Sequence, residues 1–339
     1  MRIAIIGAGG WGTALATLLV TAGHQVCVWV RRPSLCEQLT RERVNSLYLP
    51  GVSLPPALTY TTSLTEAVGP AELLVLAVPS HALRAVVRSL AQSLTGTPLL
   101  VSATKGIEET TLQTMTAVLR EEFPPALRAH IAVLSGPSFA AEVARGLPTA
   151  VTVAATTETV AAIVQKTFST PRFRVYTTTD VVGVEIGGAV KNVIAIAAGV
   201  SDGLGSGYSA RAALITRGLA EMTRLAVRLG ATRQTLSGLS GMGDLVLTCT
   251  SDLSRNHTVG VRIGRGEKIT DILQGMSMVA EGVRTCRSVY ALAQRLGVGM
   301  PLIEQVHALL YEEKSPQQVV VDLLTREAKP EFQGDPDSG

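Results

Sequence analysis

An apolar run at residues 3–6 leads directly into Gly7-Ala8-Gly9-Gly10-Trp11-Gly12, and the helix-forming stretch 13–20 follows. Gly23 then interrupts, and residues 25–30 read as a second strand. A strand, a Gly-x-Gly-x-x-Gly turn, a helix and a second strand within about 30 residues is the context a dinucleotide-binding βαβ unit requires. Each glycine has its own task. Gly7 permits the tight turn, Gly9 lets backbone approach a pyrophosphate, and Gly12 allows the helix to pack closely on its strand. The helix N-terminus adds free N–H groups and the positive end of a dipole.

In such units a carboxylate about 20 residues on usually receives the ribose hydroxyls. Here that position falls on Arg31-Arg32, and no Asp or Glu occurs before Glu37. A guanidinium pair suits the 2′-phosphate of NADP(H), which a carboxylate would repel. NADP(H) is therefore favoured as cofactor, with NAD(H) possible.

Further strands are expected at 73–78, 99–101, 132–134 and 150–154, with helices at 83–94 and 111–122 between them. This alternation predicts an α/β fold, a doubly wound parallel Rossmann sheet, whose ligands gather at the strand C-terminal ends. Three segments follow such strands: 78–80, 102–106 and 135–140. Lys105 sits in the second, where an ammonium can meet a phosphate or a carbonyl oxygen. Ser138 and the Gly136 backbone in the third are suited either to hydrogen-bond substrate or simply to form a turn.

Beyond about residue 180 the alternation stops, and helices are expected at 183–200, 208–229, 282–296, 302–311 and 317–324. Ser315-Pro316 reads as an N-cap followed by proline at the first helical position. The chain thus divides into a dinucleotide-binding domain (1–182), an all-helical substrate domain (183–328) and a polar, Pro- and Gly-bearing tail (329–339) expected to be disordered. In the first long helix Lys191 interrupts an otherwise buried-looking sequence. A buried ammonium needs a partner or a lowered pKa, and a lowered pKa equips it to exchange a proton near neutrality. Asn192 beside it can orient a carbonyl or the lysine, and Asp244 can pair with the ammonium. Ser254-Arg255-Asn256 before a helix supplies a hydroxyl, a guanidinium fork, an amide and helix N–H groups, a set suited to phosphate. Glu281, also before a helix, serves either as a cap or as a contact to a cofactor.

Composition narrows the class. With 46% hydrophobic residues the chain is not intrinsically disordered, and a net charge of +3 with no basic stripe offers no nucleic-acid footprint. No run of about 18 uncharged apolar residues is present, since Glu185 and Lys191 break the best candidate, so no stable membrane insertion is expected. No secretory leader is read at the N-terminus, and a cytoplasmic location follows. The 4 cysteines show no CxxC pairing and the 5 histidines no ligand spacing, so neither a metal site nor a disulfide framework is expected.

Taken together, Gly-Ala-Gly-Gly-Trp-Gly-Thr-Ala-Leu-Ala, Ser-Ala-Thr-Lys-Gly-Ile-Glu, Ser-Gly-Pro-Ser-Phe-Ala, Glu-Ile-Gly-Gly-Ala-Val-Lys-Asn-Val and Gly-Asp-Leu-x-x-Thr-Cys-x-Ser-x-x-Ser-Arg-Asn resemble the bacterial NAD(P)-dependent glycerol-3-phosphate dehydrogenases, in order from residue 1 to about 325. The resemblance implies a homodimer that interconverts dihydroxyacetone phosphate and sn-glycerol 3-phosphate for glycerophospholipid synthesis. It places Gly10, Trp11, Arg31, Arg32, Lys105, Ala140, Arg255, Val279 and Glu281 at the cofactor. Lys105, Gly136, Ser138, Lys191, Asp244, Ser254, Arg255 and Asn256 fall at the substrate. It also implies that Lys191 handles the proton, that Asp244 and Asn192 position it, and that Lys105 adds positive charge where negative charge develops. Two other readings compete: a Rossmann dehydrogenase of the 6-phosphogluconate or ketopantoate reductase type, and a non-catalytic NAD(P)H sensor. The residue 254–256 trio argues against the first, and a sensor has no need of Lys191 and Asp244.

Overall fold

The computed structural model describes residues 1–94, 96–276, 280–328 and 330–331. Strand β1 (Arg2–Ile6) is buried after its first residue and passes through Gly7 into helix α1 (Gly10–Thr21). β2 (Gln25–Trp29) runs parallel to β1, in a register that pairs Arg2 with Gln25 and Ile6 with Trp29. This is the expected unit, with the helix beginning inside the glycine turn rather than after it.

There follow α2 (Pro33–Glu42), an antiparallel ribbon of β3 (Val44–Asn45) and β4 (Leu49–Ser53), β5 (Thr59–Thr61), α3 (Leu64–Val68), β6 (Leu73–Leu76), α4 (Leu83–Ser93), β7 (Leu99–Ser102) and α5 (Met115–Glu122). The domain ends with β8 (Ile131–Ser135), α6 (Ala140–Ala144), β9 (Thr149–Ala155), α7 (Glu158–Phe168) and β10 (Phe173–Thr178). One sheet of eight strands takes the order β10-β9-β8-β7-β6-β1-β2-β5. Six of these run parallel, as the alternation predicts, but β9 lies antiparallel to β8 and carries β10 with it. The cause is local. A parallel return needs a crossover that spans the sheet, usually a full helix, and the 5 residues of α6 are too short for one.

The second half is helical: α8 (Val181–Gly203), α9 (Gly207–Arg228), α10 (Arg233–Leu236), α11 (Asp244–Thr250), α12 (Arg255–Gly264), α13 (Ile269–Gln274), α14 (Glu281–Leu296), α15 (Pro301–Tyr311) and α16 (Pro316–Leu324). Ser315 caps α16 as its sequence suggests, its Oγ accepting from Gln318 N at 3.2 Å. α8 is long and apolar enough by composition to suit a membrane, but 89% of its most apolar window is buried inside the protein. It is the axis of the helical domain. Its Glu185 accepts from Thr116 N at 2.7 Å and from Thr116 Oγ1 at 2.5 Å, tying α8 to the first turn of α5 in the sheet domain. Burial pushes the Glu185 carboxyl pKa up, while these hydrogen bonds pull it back.

α8 and α12 cross in near backbone contact. A Cβ placed on Gly199 would lie 2.1 Å from the His257 carbonyl oxygen, and one on Gly260 would lie 2.1 Å from that of Ile196. Gly203 and Gly264 continue the seam one turn further on. This crossing fixes the helix that carries Lys191 against the helix that begins at Arg255.

Candidate active site

The C-terminal ends of β1, β6, β7 and β8 share one edge of the sheet, and the glycine turn, Ser80, Lys105 and Gly136 all lie along it. Gly7 has φ +116°, and an added Cβ would come within 2.7 Å of the Ala77 carbonyl oxygen. Gly12 is tighter still, its Cβ position 2.0 Å from the Gly7 oxygen. Both are glycine because protein backbone demands it. Gly9 is different: its φ of −69° suits any residue, and an added Cβ would meet nothing within 4 Å. The space it leaves sits at the open N-terminus of α1, where no side chain caps the free N–H groups. Trp11, the second residue of α1, has its Nε1 buried without a hydrogen-bond partner among the described residues. Gly10 packs under the Tyr48 carbonyl and beside Ala140. An open space over unpaired donors fits a pyrophosphate. Gly9→Ala is accordingly expected to fold with unchanged stability while its NADPH Kd rises by about tenfold or more; equal Kd values in a fluorescence titration would refute this cradle.

At the end of β2, Arg32 donates to Tyr48 Oη at 2.8 Å and stacks over that ring, 5.5 Å from its centroid. Arg31 is exposed and makes no hydrogen bond or ion pair with any described residue. Val279, placed at the cofactor by resemblance, lies outside the described residues. Glu281 accepts from Ser80 Oγ at 2.6 Å and from Ser80 N at 3.3 Å, so its carboxylate bridges α14 to the sheet edge.

Three charges meet in the cleft. Asp244, 1% exposed, accepts from Lys191 Nζ on Oδ1 and from Lys105 Nζ on Oδ2, both at 2.6 Å. Lys191 Nζ also donates to Thr248 Oγ1 at 2.8 Å, and Lys105 Nζ reaches the Gly136 carbonyl at 3.5 Å. Ser138 Oγ donates to the same carbonyl at 2.9 Å. Burial pulls the Lys191 ammonium pKa down to about 8; Asp244 pulls it back up, and the Lys105 charge presses it down again. A lysine so placed can give or take a proton near neutral pH.

Asn192 makes its hydrogen bonds to residues other than Lys191. Its Oδ1 accepts from Asn256 Nδ2 at 2.9 Å and its Nδ2 donates to the Gly188 carbonyl at 3.3 Å, turning it away from Lys191. Neighbours in a helix point about 100° apart, so adjacency to Lys191 puts Asn192 on another face. It braces Asn256 instead, whose Oδ1 accepts from Gly282 N at 2.9 Å. Thr248, four residues after Asp244 on the same face of α11, supplies the second hold on Lys191. That spacing was the signal that could have found it. Asn45 was also missed. Fully buried on β3, it donates to the Ala8 carbonyl at 3.0 Å and to Thr13 Oγ1 at 2.8 Å, bracing the glycine turn from outside the βαβ unit.

Ser254 is the N-cap of α12, with its Oγ accepting from His257 N at 3.3 Å. The exposed Arg255 lies in the electrostatic field of Glu281. Among the described residues no group of three or more His, Cys, Asp and Glu stands close enough to hold a metal ion.

A Rossmann-like sheet with a glycine turn open at a helix N-terminus, beside a helical domain carrying a buried lysine paired with a carboxylate, is the architecture of a nicotinamide-dinucleotide-dependent dehydrogenase. Residues 2–161 match the family described as NAD-dependent glycerol-3-phosphate dehydrogenase N-terminus, and residues 180–321 match its C-terminus. Glycerol-3-phosphate dehydrogenase [NAD(P)+] of Geobacter sulfurreducens is 56% identical over 97% of this chain and 98% of its own length. The protein of that name from Syntrophotalea carbinolica is 55% identical over 98% of this chain and all of its own. The crystal structure of the Coxiella burnetii glycerol-3-phosphate dehydrogenase superposes with a TM-score of 0.92 at 40% identity, covering 96% of this chain and 99% of that one. The chain belongs to the NAD-dependent glycerol-3-phosphate dehydrogenase family.

Proposed function

We propose that this chain catalyses reversible reduction of dihydroxyacetone phosphate to sn-glycerol 3-phosphate. The Lys191–Asp244–Lys105 triad carries the reading, because it presents a tuned ammonium and a second positive charge at one point of the cleft. Bound NAD(P)H supplies the hydride. Gly9, Gly10, Trp11 and the N-terminus of α1 would hold its pyrophosphate, and Arg31 would take the adenosine-ribose phosphate that distinguishes NADPH. Lys191 Nζ gives a proton to the C2 oxygen on reduction and recovers it on oxidation. Asp244 and Thr248 fix Nζ in place, and Lys105 stabilises negative charge growing on that oxygen. Ser254, Arg255 and Asn256 grip the phosphate, which holds C2 in position for hydride transfer.

The expected division at 182/183 falls inside α8 (Val181–Gly203), so the same reading moves it to the start of that helix, at Asp180. It makes the enzyme a metal-independent cytoplasmic homodimer whose product feeds glycerophospholipid synthesis. Steady-state oxidation of NADPH and of NADH with dihydroxyacetone phosphate tests it directly. Turnover is expected with both, with a higher kcat/KM for NADPH. No turnover with either would end the reading, and equal kcat/KM values would end the role given to Arg31.

A further inference from the structure

Asp202, Arg211 and His257 form a second charged cluster, outside the triad. Asp202 lies in the last turn of α8, Arg211 in the second turn of α9 and His257 in the first turn of α12. Asp202 Oδ2 accepts from Arg211 Nη1 at 2.8 Å and stands 2.8 Å from His257 Nε2. The His257 side chain is 5% exposed, while those of Asp202 and Arg211 are 20% and 22% exposed. The backbone of His257 is held as tightly as its ring. Its N–H donates to Ser254 Oγ at 3.3 Å, and its carbonyl oxygen presses on Gly199.

His257 follows directly on Ser254, Arg255 and Asn256. A helix turn is one rigid unit, so a ring anchored at the fourth residue sets the rotation and depth of the three before it. Asp202 and Lys191 stand on the same helix, about three turns apart at 3.6 residues per turn. The anchor therefore refers the phosphate grip to the proton donor through a single rod.

We propose that His257, held by Asp202 and braced by Arg211, is a positioning residue for the substrate phosphate. It keeps the first turn of α12, with the Ser254 hydroxyl, the Arg255 guanidinium and the Asn256 amide, at a fixed depth and distance relative to Lys191. The proposal rests on the phosphate reading of residues 254–256.

The test compares wild type with His257→Leu, His257→Gln and Asp202→Asn, measuring the KM for dihydroxyacetone phosphate, kcat, the NADPH Kd and the thermal midpoint. His257→Leu and Asp202→Asn are expected to raise the KM about tenfold, with kcat and NADPH Kd within about twofold of wild type. His257→Gln keeps a donor at the reach of Nε2 and is expected to restore most of the lost affinity. Should His257→Leu fail to fold, the isosteric Asp202→Asn decides. An unchanged KM in the folded variants overturns the proposal, as does an equal loss in kcat and NADPH affinity, which would mark a general weakening of the fold. A wild type inert toward dihydroxyacetone phosphate would overturn the functional reading and this inference with it. Wild-type turnover with unaltered variants overturns this inference alone.

Discussion

Lys191→Ala is expected to lower kcat for dihydroxyacetone phosphate reduction by about 100- to 10,000-fold, the usual range for loss of a general acid, while the NADPH Kd stays within about twofold. The nucleotide cradle lies on the sheet edge and in α1, away from α8, so cofactor affinity is a clean control. Lys191→Arg is expected to be almost as inactive. It keeps the charge beside Asp244, but a guanidinium does not release a proton at neutral pH. The wild-type pH profile carries the same signature. Reduction needs the ammonium form, so kcat should fall as pH rises through about 8, whereas oxidation needs the free amine and should rise over the same interval. Near-wild-type turnover of Lys191→Ala, or a reduction rate flat across that window, would remove Lys191 from its role.

The second large effect concerns stability. Gly260→Ala puts a methyl group where the Ile196 carbonyl oxygen, the Val200 nitrogen and the Gly199 Cα already stand, at 2.1, 2.8 and 2.9 Å. All three are backbone atoms of α8, so no side chain can swing aside and the helices must separate. Overpacking usually costs about 1–3 kcal/mol, and clashes with rigid backbone put this case at the upper end. Separation would also expose apolar surface along α8 and shift Arg255 relative to Lys191. Gly299→Ala is the control, since a Cβ there meets nothing within 4 Å. Urea unfolding should show a markedly lower midpoint for Gly260→Ala alone. Matching midpoints for the two variants would mean that the seam yields more easily than its distances imply.

Much of this architecture could be read from residue order, because the relevant signals are local. Gly7, Gly9 and Gly12 marked their turn, and Ser315-Pro316 marked a helix start. Lys191 stood out because an ammonium in a largely apolar helix demands a partner. What escaped was decided by distant parts of the chain. Asn192 was joined to Lys191 by adjacency, yet a helix turns neighbours apart, and its partner Asn256 is supplied by another helix. The reversal of β9 depends on how little chain α6 provides, and a run of small apolar residues has no direction of its own. Asn45 is a single polar residue in a two-residue strand, and its task is apparent only once the ribbon folds over the glycine turn. Glu281 was left between capping and cofactor contact. Its bond to Ser80 shows a carboxylate shared between domains, a kind of contact with no periodicity to announce it.

The double ion pair of Asp244 also bears on how the two halves of the chain depend on each other. One of its oxygens is committed to a lysine from the sheet domain, the other to a lysine from the helical domain. Neither half of the chain therefore possesses a finished reaction centre: the nucleotide half lacks a counter-ion for Lys105, and the helical half lacks the cation that tunes Lys191. The two halves are not interchangeable modules. A hybrid built from two relatives would inherit each fold intact and still have to re-create, across its junction, a carboxylate poised between two ammonium groups to within a few tenths of an ångström.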